Sequence, residues 1–587
     1  MGAGATKAVY VGVYRVGSGQ AGPPKLRPEA RVIDEMSDRS AQTTIAHAGR
    51  PLAALAALIV LLAALIASGA VRPEGARGAG TQNIVFILTD DQTAYELSAM
   101  PTVRDEIAAK GASFTRAYAP YPSCCPARAS LLSGLNMHNH GVRGNGGDYG
   151  GWDRFVQHES DALPARLQDA GYHTVHIGKY LNGYMSGGPA VPYTPSGWDE
   201  WYAKVSQANI YYDYELVQDP DGSGGVAGDY TPYGDDSTDY QTDVLAQKAV
   251  DFVDGVPPGD TPFLLDFWVN APHAPFIPAP RHLGLFGGTQ PSVLPGFNER
   301  DISDKPRWLQ KQAKWIGSGN RRKIVQERRR RLEQLLAVDE GVNRIIEALE
   351  DQGILDETYL IFTSDNGFFR GEHRIVGGKY LAYEPSSHVP LLIRGPGIPA
   401  GVTSSELVSL TDVTQTILQI AKGSADPSLD GRSLLPFAHN PTRRTDRPIL
   451  LEADTGPGRG GDGDAASAAA RASVTGYRGV RNLDQEQGIA ASVKAATLNG
   501  NFAPAYRGLR TRRYLYVLYA NGQAELYDRK LDPAQLKSMI KNRRYRQVRR
   551  KMFKRLTALI DCRGAGCRRE FGPEPKPLAK RKRPQRG

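Results

Sequence analysis

The stretch Asn83-Ile84-Val85-Phe86-Ile87-Leu88-Thr89 decides the fold, and Asp90-Asp91 directly after it decides where chemistry is sought. Residues 84–88 are apolar without a break. A strand with one wet face alternates, so this run predicts a strand buried on both faces, as inside a parallel sheet. Strand-like runs recur near 113–119 and at 172–178, 263–270, 358–364 and 389–394. Between them the spacing predicts helices near 101–110, 161–170, 240–254 and 411–421, and a long amphipathic helix over about 324–351. Strands alternating with helices give an α/β fold: a large mixed, mostly parallel sheet flanked by helices. Residues 455–470, rich in Gly, Ala and Asp, read as a loop. Beyond it, a strand at 513–519, a turn at Asn521-Gly522 and Glu525-Leu526-Tyr527-Asp528 form a hairpin signal. A Lys/Arg-rich helix near 533–559 follows, so a smaller C-terminal α+β domain is expected.

Two acidic pairs share one predicted geometry. Asp90-Asp91 ends the first strand, and Asp365-Asn366 ends the run Leu360-Ile361-Phe362-Thr363-Ser364. Ligands of open α/β sheets bind at that edge. Three carboxylates and an amide oxygen make an all-oxygen site, suited to one hard divalent cation, Ca²⁺ first and Mg²⁺ second, rather than zinc. Either pair alone reads equally well as turn residues or helix caps.

Cys124-Cys125-Pro126-Ala127-Arg128 adds weight to that edge. Pro126 suits the first turn of a helix, because its missing N–H is no loss there. Cys124 then lies just before a helix N-terminus, where an anion is favoured, and Arg128 is one turn away, able to reach back. A buried thiol beside a cap and an ordinary thiolate nucleophile are the two plainer readings.

The whole run Cys124-Cys125-Pro126-Ala127-Arg128-Ala129-Ser130-Leu131-Leu132-Ser133-Gly134 resembles the sulfatase signature, with Ala127 where the family usually has Ser. Further runs resemble that family in order: Gly178-Lys179-Tyr180-Leu181-Asn182, Ala271-Pro272-His273-Ala274-Pro275, Gly371-Glu372-His373, Gly378-Lys379, Glu384-Pro385, and Val389-Pro390-Leu391-Leu392-Ile393-Arg394-Gly395-Pro396-Gly397. Asp412, Asp430-Gly431-Arg432-Ser433-Leu434 and Glu525-Leu526-Tyr527-Asp528 with Asp532-Pro533 continue the match. It is strong over about 82–435 and looser beyond. The resemblance implies an alkaline phosphatase-like fold and a sulfuric ester hydrolase. It implies that a maturation enzyme oxidises Cys124 to formylglycine. It implies a cation held by Asp90, Asp91, Asp365, Asn366 and the oxygen that replaces the Cys124 sulfur. A formylglycine diol then attacks sulfur, His273 protonates the leaving alcohol, and Lys179 and Lys379 neutralise sulfate oxygens, with Arg128 completing the set. The second diol hydroxyl expels sulfate. Many members carry a histidine after the lysine of the Lys179 motif, where this chain has Leu181 and Asn182; His138, His140, His176 and His373 are candidates for the base of the release step. Cys-Cys-Pro, Lys179-Tyr180-Leu181-Asn182, Phe297-Asn298-Glu299 and Ile302-Ser303-Asp304-Lys305-Pro306 resemble the N-acetylglucosamine-6-sulfatase branch, which implies a 6-sulfated amino sugar, with an aryl sulfate as the generic substrate.

The ends of the chain carry their own signals. Of 587 residues, 41% are hydrophobic and 23% charged, an ordinary globular balance. Residues 52–70 form an apolar run without a charge, preceded by Arg50 and ended by Ser68-Gly69-Ala70. This predicts export, as a signal peptide cleaved after Ala70 or as a membrane anchor. Residues 1–50 are an extension within which Met36 makes a more natural start, and 71–82 are a linker. A catalytic domain at 83–440, a C-terminal subdomain at 441–560 and a basic tail at 561–587 are expected. Residues 541–587 carry 18 Lys/Arg against 3 Asp/Glu, a balance of +15, whereas the remaining chain sums to −5. That end suits an anionic polysaccharide or membrane surface, or else is simply solvated; no nucleic acid is expected. Cys562 and Cys567 suit a small disulfide loop.

Two other functions compete. A phosphonate or phosphodiester hydrolase of the same superfold tends to carry His where Asn366 stands. A non-catalytic binder of sulfated glycan needs none of the reactive residues, all of which are present.

Overall fold

A computed structural model of the chain describes residues 82–579, apart from 147–148, 186–191, 206–209, 222–228, 258, 260, 289–294 and 455–502. The 1–50 extension, the 51–70 apolar run, nearly all of the 71–82 linker, the 455–470 loop and residues 580–587 lie outside the described residues. Among the described residues no helix is long and apolar enough to cross a membrane.

The apolar run forms the strand Asn83–Thr89, buried at all seven positions. It lies inside a ten-stranded sheet ordered Val402–Ser404, Ala112–Phe114, Leu391–Arg394, Thr358–Ser364, Asn83–Thr89, Phe263–Trp268, His173–Gly178, Glu200–Lys204, Tyr214–Asp219, Asp229–Tyr233. The five strands from Thr358–Ser364 to Glu200–Lys204 are mutually parallel; the pairings outside them are antiparallel, except that Val402–Ser404 pairs parallel with Ala112–Phe114. The absence of alternation has the expected cause. Ile84, Phe86 and Leu88 pack in one layer with Leu131, Val413 and Ile417, from the helices Cys124–Ser133 and Thr411–Lys422. Val85 and Ile87 pack in the other with Leu245, Val338 and Val342, from Gln241–Asp254 and Ser318–Asp351. Each such side chain contributes roughly 1.5–3 kcal/mol relative to exposure.

The smaller unit is a four-stranded antiparallel sheet, Ile449–Ala453, Tyr506–Arg510, Tyr514–Tyr519 and Ala524–Asp528, with the helix Arg546–Thr557 on it. The hairpin forms as predicted. The helix expected over 533–559 does not: it spans only Arg546–Thr557, because 533–545 runs through turns in which Asp532 accepts from the N–H groups of Leu536 and Lys537. The run 389–394 is broken into His388–Val389 and Leu391–Arg394, which belong to different sheets. Pro390 between them lacks the N–H a continuous ladder needs. The 113–119 run likewise splits into Ala112–Phe114 and Ala117–Tyr118. Three strands within 183–235, for which no strand was expected, extend the sheet. Much of the basic end is structured: Cys562 and Cys567 are bridged, and Arg568 donates to the carbonyls of Leu429 and Gly431.

A buried carboxylate links the four-stranded sheet to a short three-stranded sheet of His388–Val389, Ala117–Tyr118 and Val408–Ser409. Glu384 accepts from Tyr118 Oη (3.1 Å) and Arg510 Nε (3.2 Å), and Arg529 Nη1 lies 2.7 Å away. Burial raises its pKa, but Arg529 and Arg510 outweigh burial and hold it at about 2, below the ordinary 4.5. The resulting stabilisation, on the order of 3 kcal/mol, is complete above about pH 4.5 and is lost as pH falls toward 2. Glu384→Gln is therefore expected to melt below the wild type at about pH 7, with the gap closing on acidification. Thermal scans in which the gap stays constant down to about pH 3 would rule this out.

Candidate active site

Parallel strands deliver the functional side chains to one edge. Asp90 and Asp91 leave Asn83–Thr89, Lys179 leaves His173–Gly178, His273 follows Phe263–Trp268, and Asp365-Asn366 leaves Thr358–Ser364. Main-chain bonds continue the ladder into these loops: Asp90 N–H to Ala271 O (3.1 Å), Asp365 N–H to Thr89 O (3.1 Å) and Lys179 N–H to Trp268 O (2.8 Å). Gly178 makes the last of these available. Its φ is +120°, and a Cβ there would collide with the Trp268 carbonyl oxygen. Asp91 sits at φ +70° without being glycine, a strained conformation of the kind functional sites hold. Its carbonyl accepts from Arg331 Nη2 (2.7 Å) and its N–H donates to Asp365 Oδ1 (3.1 Å).

The cysteine helix begins two residues earlier than expected. Cys124 is its first residue, Pro126 its third, and Gly134 closes it in the left-handed conformation. The small side chains of Ala127, Ala129 and Ser130 let the helix bury completely. Asn145 Oδ1 accepts from the Cys125 N–H and the Ser123 hydroxyl, 3.0 Å each, and so holds the first turn. The Cys124 thiol donates to Asp90 Oδ1 (3.3 Å), and Lys379 Nζ approaches its sulfur to 2.6 Å. Burial and the Asp90 charge push this thiol up to about 12, so it is not a thiolate near neutral pH. Arg128 does not reach back to Cys124. Fully buried, it donates through Nε to Asp365 Oδ2 (2.9 Å) and through Nη1 to the Lys179 carbonyl (2.5 Å).

Asp90, Asp91, Asp365 and Cys124 each offer a ligand atom, all four within 4.8 Å of one another and all buried. Lys179 Nζ is bonded to Asp90, and Lys379 Nζ to Asp91 Oδ1 at 2.5 Å. Burial raises all three carboxyls. Lys179 and His273 outweigh it at Asp90, which falls well below the usual range, and Lys379 and His273 lower Asp91. Asp365 stays raised by burial and by the Asp90 charge despite Arg128. Asn366 Nδ2 donates to Asp91 Oδ1 (2.6 Å), and its buried Oδ1 has no hydrogen-bond partner. The amide oxygen and nitrogen are interchangeable by rotation. Turned over, Asn366 adds a fourth oxygen to a hard, anionic donor set, which fits a divalent cation. His273 Nδ1 lies 2.5 Å from the Ala274 carbonyl, leaving Nε2 on the site, 3.7 Å from Asp91 Oδ2.

A family model described as sulfatase matches residues 82–424, more than half of the chain. The chain belongs to the sulfatase family. It is 34% identical over 397 residues to the N-acetylglucosamine-6-sulfatase of Homo sapiens, covering 65% of this chain and 69% of that one. BT4656, solved with its substrate D-glucosamine-2-N,6-O-disulfate, superposes at TM-score 0.62 with 24% identity, over 81% of this chain and 97% of that one. The phosphonate monoester hydrolase of Agrobacterium radiobacter superposes at 0.57 with 22% identity, over 81% and 94%. Both structural likenesses are likenesses of fold. The chain spans less than half the length of the extracellular sulfatases it matches, 48% and 31% of them.

Four histidines that the sequence offered to this sulfatase site lie elsewhere. His138 bridges Glu452 and the Cys562 carbonyl. His140 bonds Ser130 and the Val142 N–H. His176 is buried against Trp201, and His373 pairs with Glu299 at 2.7 Å. Conversely, sequence reasoning missed Arg331, which bonds the carbonyls of Asp91 and Pro272 as well as Glu96, and Tyr211, whose hydroxyl donates to the His273 carbonyl (2.6 Å). Arg331 is hidden in an arginine run, and Tyr211 among many tyrosines.

Arg128 is the cation most exposed to test. Removing one partner of a buried pair costs about 3–5 kcal/mol. Arg128→Ala should lower the unfolding free energy by that much, with a lower thermal midpoint, and Arg128→Lys, with the charge but not the fork, should recover only part of it. A variant that melts with the wild type would refute the assignment.

Proposed function

We propose that this sulfatase hydrolyses the 6-sulfate monoester of a glucosamine unit, using formylglycine made from Cys124 and one divalent cation, Ca²⁺ or Mg²⁺, held by Asp90, Asp91, Asp365, Asn366 and the oxygen replacing the Cys124 sulfur. The carrying observation is the buried cluster of those carboxylates with Cys124 inside 4.8 Å, flanked by Lys179, Lys379 and His273. A thiol pushed up to about 12 is a poor nucleophile, which supports conversion rather than direct use. The amino-sugar substrate rests on the names of the relatives. Export through residues 52–70 and contact of the 541–587 end with anionic polysaccharide belong to the same proposal, as do a catalytic domain at 83–440 and a C-terminal subdomain at 441–560.

When present, the cation and the formylglycine diol supply an acidified hydroxyl for attack on sulfur. The protein's own side chains do the rest. Lys379, at the Cys124 sulfur, and Lys179, at Asp90, neutralise the sulfate oxygens, in a buried setting that strengthens the effect. Arg128 positions Asp365. His273 Nε2 faces the site and gives its proton to the departing sugar oxygen. A ring nitrogen of His273 lies within 4.8 Å of the Cys124 sulfur and an Asp90 oxygen. Having lost its proton, the same nitrogen is the base at hand for releasing sulfate, which removes the need for a second histidine.

Two outcomes are expected. Protein matured in a host with the modifying enzyme should cleave 4-nitrophenyl sulfate with kcat/KM well above that for bis(4-nitrophenyl) phosphate, whereas Cys124→Ala should be inactive on both. A preference for the phosphodiester would move the chain to the rival function. His273→Ala should lose about 10²–10⁴-fold on a sugar sulfate and much less on 4-nitrophenyl sulfate, whose leaving group needs no proton. Equal losses on the two esters would remove His273 from the acid role.

A further inference from the structure

We propose that Arg370 is a positioning residue for His273: its guanidinium, stacked on Phe276, fixes the loop that aims the imidazole at the leaving oxygen. This rests on the acid role given to His273 above and adds the group that holds it in place.

Arg370 lies four residues beyond Asn366 and is only 5% exposed. A guanidinium buried to that degree ordinarily has its donors paired. Here Nη1 donates to Glu327 Oε2 (2.5 Å), whereas Nε and Nη2, also buried, have no hydrogen-bond partner among the described residues. Aromatic faces take their place. The guanidinium carbon lies 4.6 Å from the centre of the Phe276 ring and 4.8 Å from that of Phe368, within cation–π range. Arg331 approaches the same two rings, at 6.0 and 5.5 Å. Stability alone does not favour such a cluster. Burial and the Arg331 charge pull Arg370 down to about 10 despite Glu327. An apolar side chain would fill the space without that conflict.

The cluster stands where the active-site loops meet. Phe276 is three residues beyond His273, and Phe368 two beyond Asn366. Phe368 is the fixed side. A Cβ on Gly377 would come within 3.3 Å of its ring, and the Phe369 N–H donates to Gly378 O (2.8 Å), so the loop of Lys379 backs it. Glu327 anchors Arg370 to the helix Ser318–Asp351. Phe276 is the held side. It is half-buried between exposed neighbours, Pro275 and Ile277. Tyr240 Oη holds the main chain beyond it at the Ile277 carbonyl (3.1 Å), and Arg370 holds the ring. On the near side of His273, Arg331 donates to Pro272 O (3.0 Å). The two arginines thus bracket the histidine, one residue before it and three after. A displacement of about 1 Å in such a group can lower the rate about 10²-fold. Arg suits the task because its planar group stacks on a ring, as the compact ammonium of Lys does not.

The test uses full-length matured protein. Arg370→Leu and Phe276→Leu remove the stack from its two sides. Arg370→Lys keeps the charge without the plane, and Phe276→Tyr keeps the ring. Turnover of glucosamine 6-sulfate and of 4-nitrophenyl sulfate is measured for each. Both leucine variants should lose at least about tenfold more on the sugar ester than on the aryl ester, in kcat rather than KM, because only the sugar oxygen needs a proton. Arg370→Lys should behave like Arg370→Leu, and Phe276→Tyr should keep the wild-type ratio. In a His273→Ala background, Arg370→Leu should cost no more on the sugar ester than on the aryl ester. Equal losses on the two esters, or a full further loss on top of His273→Ala, would make Arg370 merely structural and overturn the proposal. Phe276→Leu carries the same test if Arg370→Leu does not fold. If the wild type cleaves neither ester, the sulfatase function fails, and amide hydrogen exchange then decides the hold itself. The His273 N–H, bonded to Asn270 O, and the Ile277 N–H, bonded to Pro275 O, should exchange about tenfold faster in the leucine variants. Unchanged exchange would overturn the proposal as well.

Discussion

Charge balance in a buried site is the constraint on which the rest of this structure depends. Asp90, Asp91 and Asp365 are withdrawn from water at the ends of two adjacent strands. Mutual repulsion at low dielectric would drive protons onto them or force the loops apart. Three cations prevent this, each from a different element: Lys179 from the end of a parallel strand, Lys379 from a loop, and Arg128 from the cysteine helix. The same geometry brings two ammonium groups, of Lys179 and Lys379, to the carboxylate cluster. Asp365 stays raised even so, by burial and the Asp90 charge.

The elements around this cluster are tied to it by buried ion pairs rather than by apolar contact alone. Arg331 joins the long helix to Glu96 and to the Asp91 and Pro272 carbonyls, so helix, first strand and His273 loop move as one. Glu384 does the equivalent for the C-terminal sheet through Arg510 and Arg529. Glu525 reinforces it by accepting the hydroxyls of Tyr383, Tyr519 and Tyr527. An apolar interface tolerates small slips; a carboxylate with three fixed donors does not. The small sheet therefore serves the site by fixing the segment between Lys379 and Glu384.

How much of this was legible in sequence follows from range. Unbroken apolar runs report burial on both faces locally, so Asn83–Thr89 and Thr358–Ser364 were readable, and with them the site edge carrying Asp90, Asp91, Asp365 and Asn366. Arg128 was placed at the site but given the wrong partner, because one helical turn suggested Cys124 whereas the fold offered Asp365. His273 was readable through its motif, but the four candidates for the release base were not: a lone His carries no local signal separating a catalytic base from a tie such as that of His138 to Glu452. Strand breaks at Pro390 and between 114 and 117 depended on which sheet claimed each half. The basic end showed the same limit, since composition does not reveal that Arg568 is spent on the carbonyls of Leu429 and Gly431.

The identity of the residue at 124 now has a physical explanation. Its position at a helix N-terminus favours an anion, and Lys179 and Lys379 favour one too. Burial and the Asp90 charge oppose it and prevail, so the thiol stays protonated. A thiolate nucleophile would need those carboxylates gone, yet without them nothing would hold the cation. The proposed conversion of Cys124 would resolve the conflict by replacing sulfur with oxygen. An oxygen at that place would be a hard ligand compatible with the carboxylates, next to Lys379, whose Nζ lies 2.6 Å from the Cys124 sulfur. The acidic cluster thus disfavours an ordinary cysteine nucleophile at this position and supports the proposed role of Cys124 as a precursor.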